Sequence, residues 1–252
     1  MNIEVIILIF TLAFLCEFID SSMGMGYGTI LSPLLIIIGI EPLVVIPSIL
    51  ISQSLSGISA GLFHNKYKNL NIKFGSKDFK VILTISIFGT FASGTAVFVA
   101  INIPAEILKI YIGLLIFIIG IILISKTRFV FSWGKIVAIA LLSSFNKGIS
   151  GGGFGPVITG GQIISGNGYK NSIGCTTICE GQICFTAFIL YLIIRGIPDP
   201  YVVFPLIIGS VASTPFGPKI TGKINPEKLK PLVGIIILLI GVLTIIKTIY
   251  NY

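Results

Sequence analysis

GMGYGTIL at residues 24–31 and GGGFGPVI at residues 151–158 decide how this chain is read. Each interrupts an apolar run with glycines and then restarts it. A shift of 127 residues superposes them, so that Gly24, Gly26 and Gly28 fall on Gly151, Gly153 and Gly155. The same shift, without a gap, pairs Leu15 with Leu142, Phe18 with Phe145, Gly39 with Gly166, Ile46 with Ile173 and Ala60 with Ala187. Further on, a shift of 121 brings Glu106, Lys109, Gly113, Gly120 and Lys126 onto Glu227, Lys230, Gly234, Gly241 and Lys247. Chance matching of glycines does not extend across so many residue types. The chain reads as two copies of one unit, residues 1–126 and 127–252, joined in one domain.

The composition says where this unit lives. Of 252 residues 54% are hydrophobic and 10% charged, and the mean hydropathy is +1.05. A soluble domain carries about a quarter charged residues, so the surface here must be met by lipid. The net charge of +8 does not mark a nucleic-acid binder, because the lysines fall in short gaps between apolar runs rather than on one wetted face. MNIEVIILIF at the start has an acidic residue, no basic one, and no small-residue cleavage signature after it. It reads as a retained first membrane helix. Cys16, Cys175, Cys179 and Cys184 all lie inside apolar segments and read as buried packing, not as disulfides or a zinc site.

Ten apolar segments are legible: 3–19, 29–40, 44–63, 81–100, 107–124, 136–145, 156–164, 173–194, 201–212 and 232–249. Those at 29–40 and 156–164 reach only about 18 and 14 Å as helices, and each follows a glycine cluster. Broken or re-entrant helices are expected there. Six full spans plus re-entrant pieces, or ten spans, both fit. A short interfacial helix over 73–80 is a further option.

Basic residues orient the segments. Lys66, Lys68, Lys73, Lys77 and Lys80 follow the third segment, Lys126, Arg128 and Lys135 the fifth, and Lys219, Lys223, Lys228 and Lys230 the ninth. These loops are expected on the cytoplasmic side. Their counterparts in the other copy hold only Arg195 and Lys109, so equivalent loops face opposite sides. The expectation is an all-α, multi-pass protein of the cell membrane, built as two inverted repeats of about five helical segments each.

Metalloprotease and P-loop signatures are missing: the sequence holds no HExxH and no GxxxxGK[ST], and its single histidine is His64. His64, expected at an interfacial helix end, reads as passive. No enzymatic role, metal or cofactor is expected. The glycine breaks instead suggest a binding site. Freed amides of Gly26, Tyr27, Gly28, Gly153, Phe154 and Gly155 at two helix N-termini would face the membrane interior and attract an anion. The competing reading is that these glycines only allow close helix packing.

Glu17, Asp20, Lys147 and Glu180 stand at membrane depth, where an ionisable residue is costly unless paired or wetted. Asp20 and Lys147 are repeat equivalents, as are Gln53 and Glu180. Lys147 offers a positive charge to an anion, with Gln53 and Gln182 as neutral ligands. Glu17, Asp20 and Glu180 are the candidates for carrying a coupled proton. A structural salt bridge from Lys147 to Asp20 or Glu180 is the alternative. Ser21, Ser22, Ser54, Ser150, Thr176 and Thr177 are neutral hydrogen-bonding candidates, although such side chains often bond their own backbone.

The duplicated loops GMGYGTILSP and GGGFGPVITG, each following a first helix, resemble the sulfite exporter TauE/SafE family of membrane permeases along nearly the whole chain. Pro33 follows the first loop as that pattern has it, whereas Gly160 stands at the equivalent place and Met25 stands where a glycine is usual. The resemblance implies secondary transport of small sulfur-containing anions such as sulfite or sulfonates. Expected partners are such an anion and the lipid bilayer, with a homodimer left open and no nucleic acid. The rival readings are a cation channel, from the likeness of Gly26-Tyr27-Gly28 to a potassium filter, and a proton-coupled cation antiporter.

Overall fold

Helices follow from the sequence wherever an apolar run is bounded by a cap or a turn residue. The computed structural model describes residues 2–124, 133–164, 168–223 and 226–250. Lys126, Arg128 and the junction between the two repeats lie outside the described residues. The helices are α1 Ile3–Met23, α2 Tyr27–Ile37, α3 Pro42–Lys66, α4 Lys77–Asn102, α5 Ala105–Ile124 and α6 Trp133–Ser150. They continue as α7 Gly155–Ile164, α8 Tyr169–Arg195, α9 Pro200–Ser213, α10 Gly217–Ile220 and α11 Pro226–Tyr250. Pro42 and Pro200 open α3 and α9 in the first turn, where a missing N–H costs nothing. Ser76 caps α4 by accepting from the Phe79 amide at 3.1 Å, so residues 77–80 belong to α4 and not to an interfacial helix. The ninth segment is longer than expected: after a turn at 214–216 the chain resumes as α10.

Among the described residues, six helical stretches are long and apolar enough to cross a membrane: Pro42–Lys66, Lys77–Asn102, Ala105–Ile124, Tyr169–Arg195, Pro200–Ile220 and Pro231–Tyr250. Their outward faces carry Phe91, Phe204, Leu62 and Ile193, while serines, threonines and glycines turn inward. With lipid as apolar as any core, small residues that let backbones approach hold such helices together. Gly57 of α3 lies against Gly181 of α8, and Gly113 and Gly120 of α5 lie against Gly241 and Gly234 of α11.

The packing pattern is paired. α5 packs on α11 and α3 on α8; α6 packs on α4 as α1 packs on α9. One end of the molecule gathers the C-terminus of α3, the starts of α4 and α8, and α10. Asn69 there donates to Pro218 O at 2.8 Å, and Asn171 to Asp78 Oδ2 at 2.6 Å. Lys66, Lys68, Lys73, Lys77, Lys80, Lys170, Lys219 and Lys223 are exposed around this end. The start of α6 also sits there, with Ile136 beside Val81 and Ile85, and the end of α7 returns to it, with Gln162 bonding Thr176 at 2.9 Å. The start of α1 lies at the far end, beside Tyr201 and Phe204. There too α2 ends, its Ile37 carbonyl accepting from Lys247. The α1–α2 pair thus opens toward one end of the molecule and the α6–α7 pair toward the other.

Candidate functional site

Glycine geometry builds the site. Gly24 and Gly151 both sit at φ 73°, in the left-handed region that glycine enters without strain. Each stops its helix the same way: the Gly24 amide bonds Asp20 O at 2.6 Å and the Gly151 amide bonds Lys147 O at 2.9 Å. The two breaks then cross. A methyl group at Gly28 would overlap the Gly151 carbonyl, and one at Gly155 would come within 2.5 Å of the Gly24 carbonyl. Side chains lace the crossing from both halves: Gly153 N donates to Thr29 Oγ1 at 3.1 Å, Thr159 Oγ1 donates to Gly24 O at 2.8 Å, and Ser32 Oγ donates to Ser150 O at 2.7 Å.

Beside this crossing the ionisable residues meet. Lys147, fully buried, donates to Glu180 Oε1 at 2.7 Å. It also donates to Gln53 Oε1, in the other half of the chain. The Gln53 amide passes the contact on, donating from Nε2 to Asp20 Oδ2 at 3.1 Å. Asp20 Oδ1 accepts from the Tyr27 amide at 3.3 Å, so the N-terminus of α2 is met by the chain's own carboxylate. One turn earlier on α1, Glu17 Oε2 accepts from Ser56 at 3.0 Å. The Lys147 ammonium lies in the space that a Gly28 side chain would take, 2.9 Å from such a methyl group. A positive charge is therefore held between two helix breaks, inside a polar chain that runs from α1 through α3 and α6 to α8.

Asp20, Gln53, Lys147, Glu180 and Gly28 are thus brought together, with Glu17 adjoining. Gln182 is not among them. It is exposed on the outer face of α8, because two residues further along a helix is more than half a turn from Glu180. Phe154 is buried against Ile158 and Ala140 rather than in the cluster, and the Tyr27 hydroxyl pairs with Ser52 at 2.6 Å. Ser21, Ser22, Ser150 and Thr177 bond their own helix backbones. Thr176 instead meets Thr159 at 3.0 Å, and Ser54 is buried. Ser56 and Thr29 join the site without having been singled out from the sequence. Ser56 stands one turn after Gln53, and Thr29 faces Pro156 in the repeat register, which are the signals that mark them.

His64 corrects an expectation. It is buried rather than interfacial, with Nε2 2.9 Å from Ser21 O and Nδ1 3.1 Å from Asn69. It ties the end of α3 to the end of α1 and, through Asn69, to α10. The four cysteines are free and buried.

A family model described as Sulfite exporter TauE/SafE matches residues 9–244. The chain is also 27% identical over 251 residues to the probable membrane transporter protein YtnM of Bacillus subtilis strain 168, covering 92% of this chain and 80% of that protein. No solved structure matches. A family match spanning both glycine breaks and nearly every helix, on a chain whose described residues form six membrane-length helical stretches, shows that this multi-pass membrane protein belongs to the sulfite exporter TauE/SafE family of membrane transporters.

Proposed function

We propose that this protein is a secondary active transporter, not an enzyme, that moves a small sulfur-containing anion, sulfite or an organosulfonate, across the membrane. The observation that carries the reading is Lys147. It is a fully buried cation between two crossed helix breaks, bonded at once to Glu180 of its own half and Gln53 of the other. A buried lysine in this position supplies a point charge to an anion, and the nearby start of α7 adds backbone amides. The family description names a sulfite exporter, which fits an oxyanion at this place.

Two inverted repeats, divided near residue 126, are part of the same proposal. The crosswise pairing of Gly113 with Gly241 and Gly120 with Gly234 supports them, as do the hairpins that open toward opposite ends. Rocking of one repeat on the other would expose a site that is closed to both ends here. Coupling to a proton completes the cycle, with Glu17, Asp20 or Glu180 as its carrier.

Thermal stabilisation of the detergent-purified protein tests the reading, with sulfite, sulfate, sulfoacetate, aryl sulfonates, carboxylates and alkali cations as ligands. A hundredfold excess over Kd should stabilise by about 2.7 kcal/mol. Lys147→Ala should weaken the binding by more than about tenfold, the worth of one good charge contact. A shift with sodium or potassium alone would overturn the reading in favour of a cation carrier.

A further inference from the structure

Glu17, Asp20 and Glu180 are three buried carboxylates facing one buried ammonium, Lys147. With all four ionised, two negative charges stand uncompensated in a low-dielectric interior, and an arriving anion adds a third. The third is the charge that an added proton would offset.

The three acids are not equivalent. Asp20 has donors on both oxygens, the Tyr27 amide and the Gln53 side chain. Glu180 Oε1 is paired with the Lys147 ammonium, although its Oε2 has no partner. Glu17 is fully buried and has one neutral donor, Ser56, on Oε2, while Oε1 has no partner. Among the described residues the cation near it is Lys147, which Glu180 already holds. On α1 it faces Asp20 and Cys16, on α2 Tyr27, on α6 Lys147 and on α8 Glu180. α3 brings Ser56, Gln53 and the His64 ring at the far side of Ser21, and α9 brings hydroxyls such as Ser210. Among the described residues no group of three His, Cys, Asp or Glu side chains is spaced to hold a metal ion. The equivalent position in the second half is Ser144, so only one half carries this acid.

We propose, resting on the anion-transport reading, that Glu17 is the dedicated proton acceptor of the cycle. The anion enters beside Lys147 only together with a proton that bonds to Glu17 Oε1, so an anion without its proton is refused. The proton comes from the water on the entry side and leaves to the water on the exit side when the anion does. No bond other than this O–H forms or breaks.

The test is the pH dependence of Kd for methanesulfonate and an aryl sulfonate, anions whose own charge is constant across neutral pH, measured on the purified full chain. One proton taken up per anion raises log Kd by about one per pH unit. The parent should show that slope. Glu17→Gln, which imitates the protonated acid, should bind at all pH values as the parent binds at low pH, with a slope near zero. Uptake of about one proton per anion by the parent in weakly buffered solution provides the same reading without a variant. A Glu17→Gln protein with the parental slope, a parent without proton uptake, or a Kd that follows sodium instead of pH would each overturn the assignment while leaving anion transport intact. Failure of every anion to bind at any pH would overturn the transport reading itself, and this inference with it.

Discussion

The two helix breaks share a backbone and differ in charge. At Gly24 and Gly151 the chain turns through the same left-handed angle and closes the same kind of hydrogen bond onto the residue four positions back. In the first half that residue is Asp20, whose carboxylate turns onto the start of α2 and occupies it. In the second half it is Lys147, which cannot cap a helix N-terminus and reaches instead to Glu180 and across to Gln53. On the repeat register we propose, two differences, aspartate against lysine and glutamine against glutamate, make a polar, one-sided site. Symmetry built the crossing and asymmetry built the chemistry.

Breaking the crossing should have the largest effect. Gly28→Ala drives a methyl group into the Gly151 carbonyl and against Lys147, and we expect it to cost more than about 4 kcal/mol or to prevent folding. Gly160→Ala, at a position where nothing lies within 4 Å of an added methyl, should stay within about 0.5 kcal/mol of the parent. Thermal unfolding in detergent reads both, and equal losses would show that the crossing is not the keystone of the fold.

Next come the charges, where the two halves should part. Lys147→Met leaves Glu180 buried without its partner and should cost about 3–5 kcal/mol. Adding Glu180→Gln to it should recover most of that stability without recovering anion binding. Asp20→Asn keeps a side chain that still accepts from the Tyr27 amide, and should cost only about 1–2 kcal/mol. Equal costs for Asp20→Asn and Lys147→Met, measured by the same unfolding, would erase the distinction between the halves. His64→Ala removes a link from α3 to Ser21 and should cost about 1–3 kcal/mol, with anion affinity unchanged in the stabilisation assay. The smallest perturbation is topological: cysteines placed singly at Lys73 and Ile197 should react with impermeant reagents from opposite sides of the membrane. Labelling of both from one side would break the inverted arrangement.

Much of this was legible before any coordinates. The glycine repeat located both breaks to within a residue or two, since left-handed backbone and close crossing each demand glycine. Ionisable residues in apolar runs identified Asp20, Lys147 and Glu180 as companions, because a lone charge in lipid is too costly to stand unpaired, and Gln53 followed as the residue 127 positions before Glu180. Gln182 was misjudged for a definite reason. In a helix whose sides are both apolar, hydrophobic pattern does not say which face turns inward, and Gln182 follows Glu180 by only two positions. His64 was placed at an interface because its neighbours in sequence are basic, whereas its neighbours in space are Ser21 and Asn69.

The sequence by itself determined that this is a multi-pass membrane protein with two matching glycine breaks, at residues 24–28 and 151–155. Composition and local spacing carry that information, and neither depends on distant contacts. Only the tertiary structure decided that Lys147 bridges the halves through Gln53, that Asp20 occupies the start of α2, and that Glu17 is left with a single neutral donor. Lipid is as apolar as a helix bundle's interior, so burial does not sort the faces of these helices in advance. Which side chains meet is settled by how closely the glycines let the backbones cross.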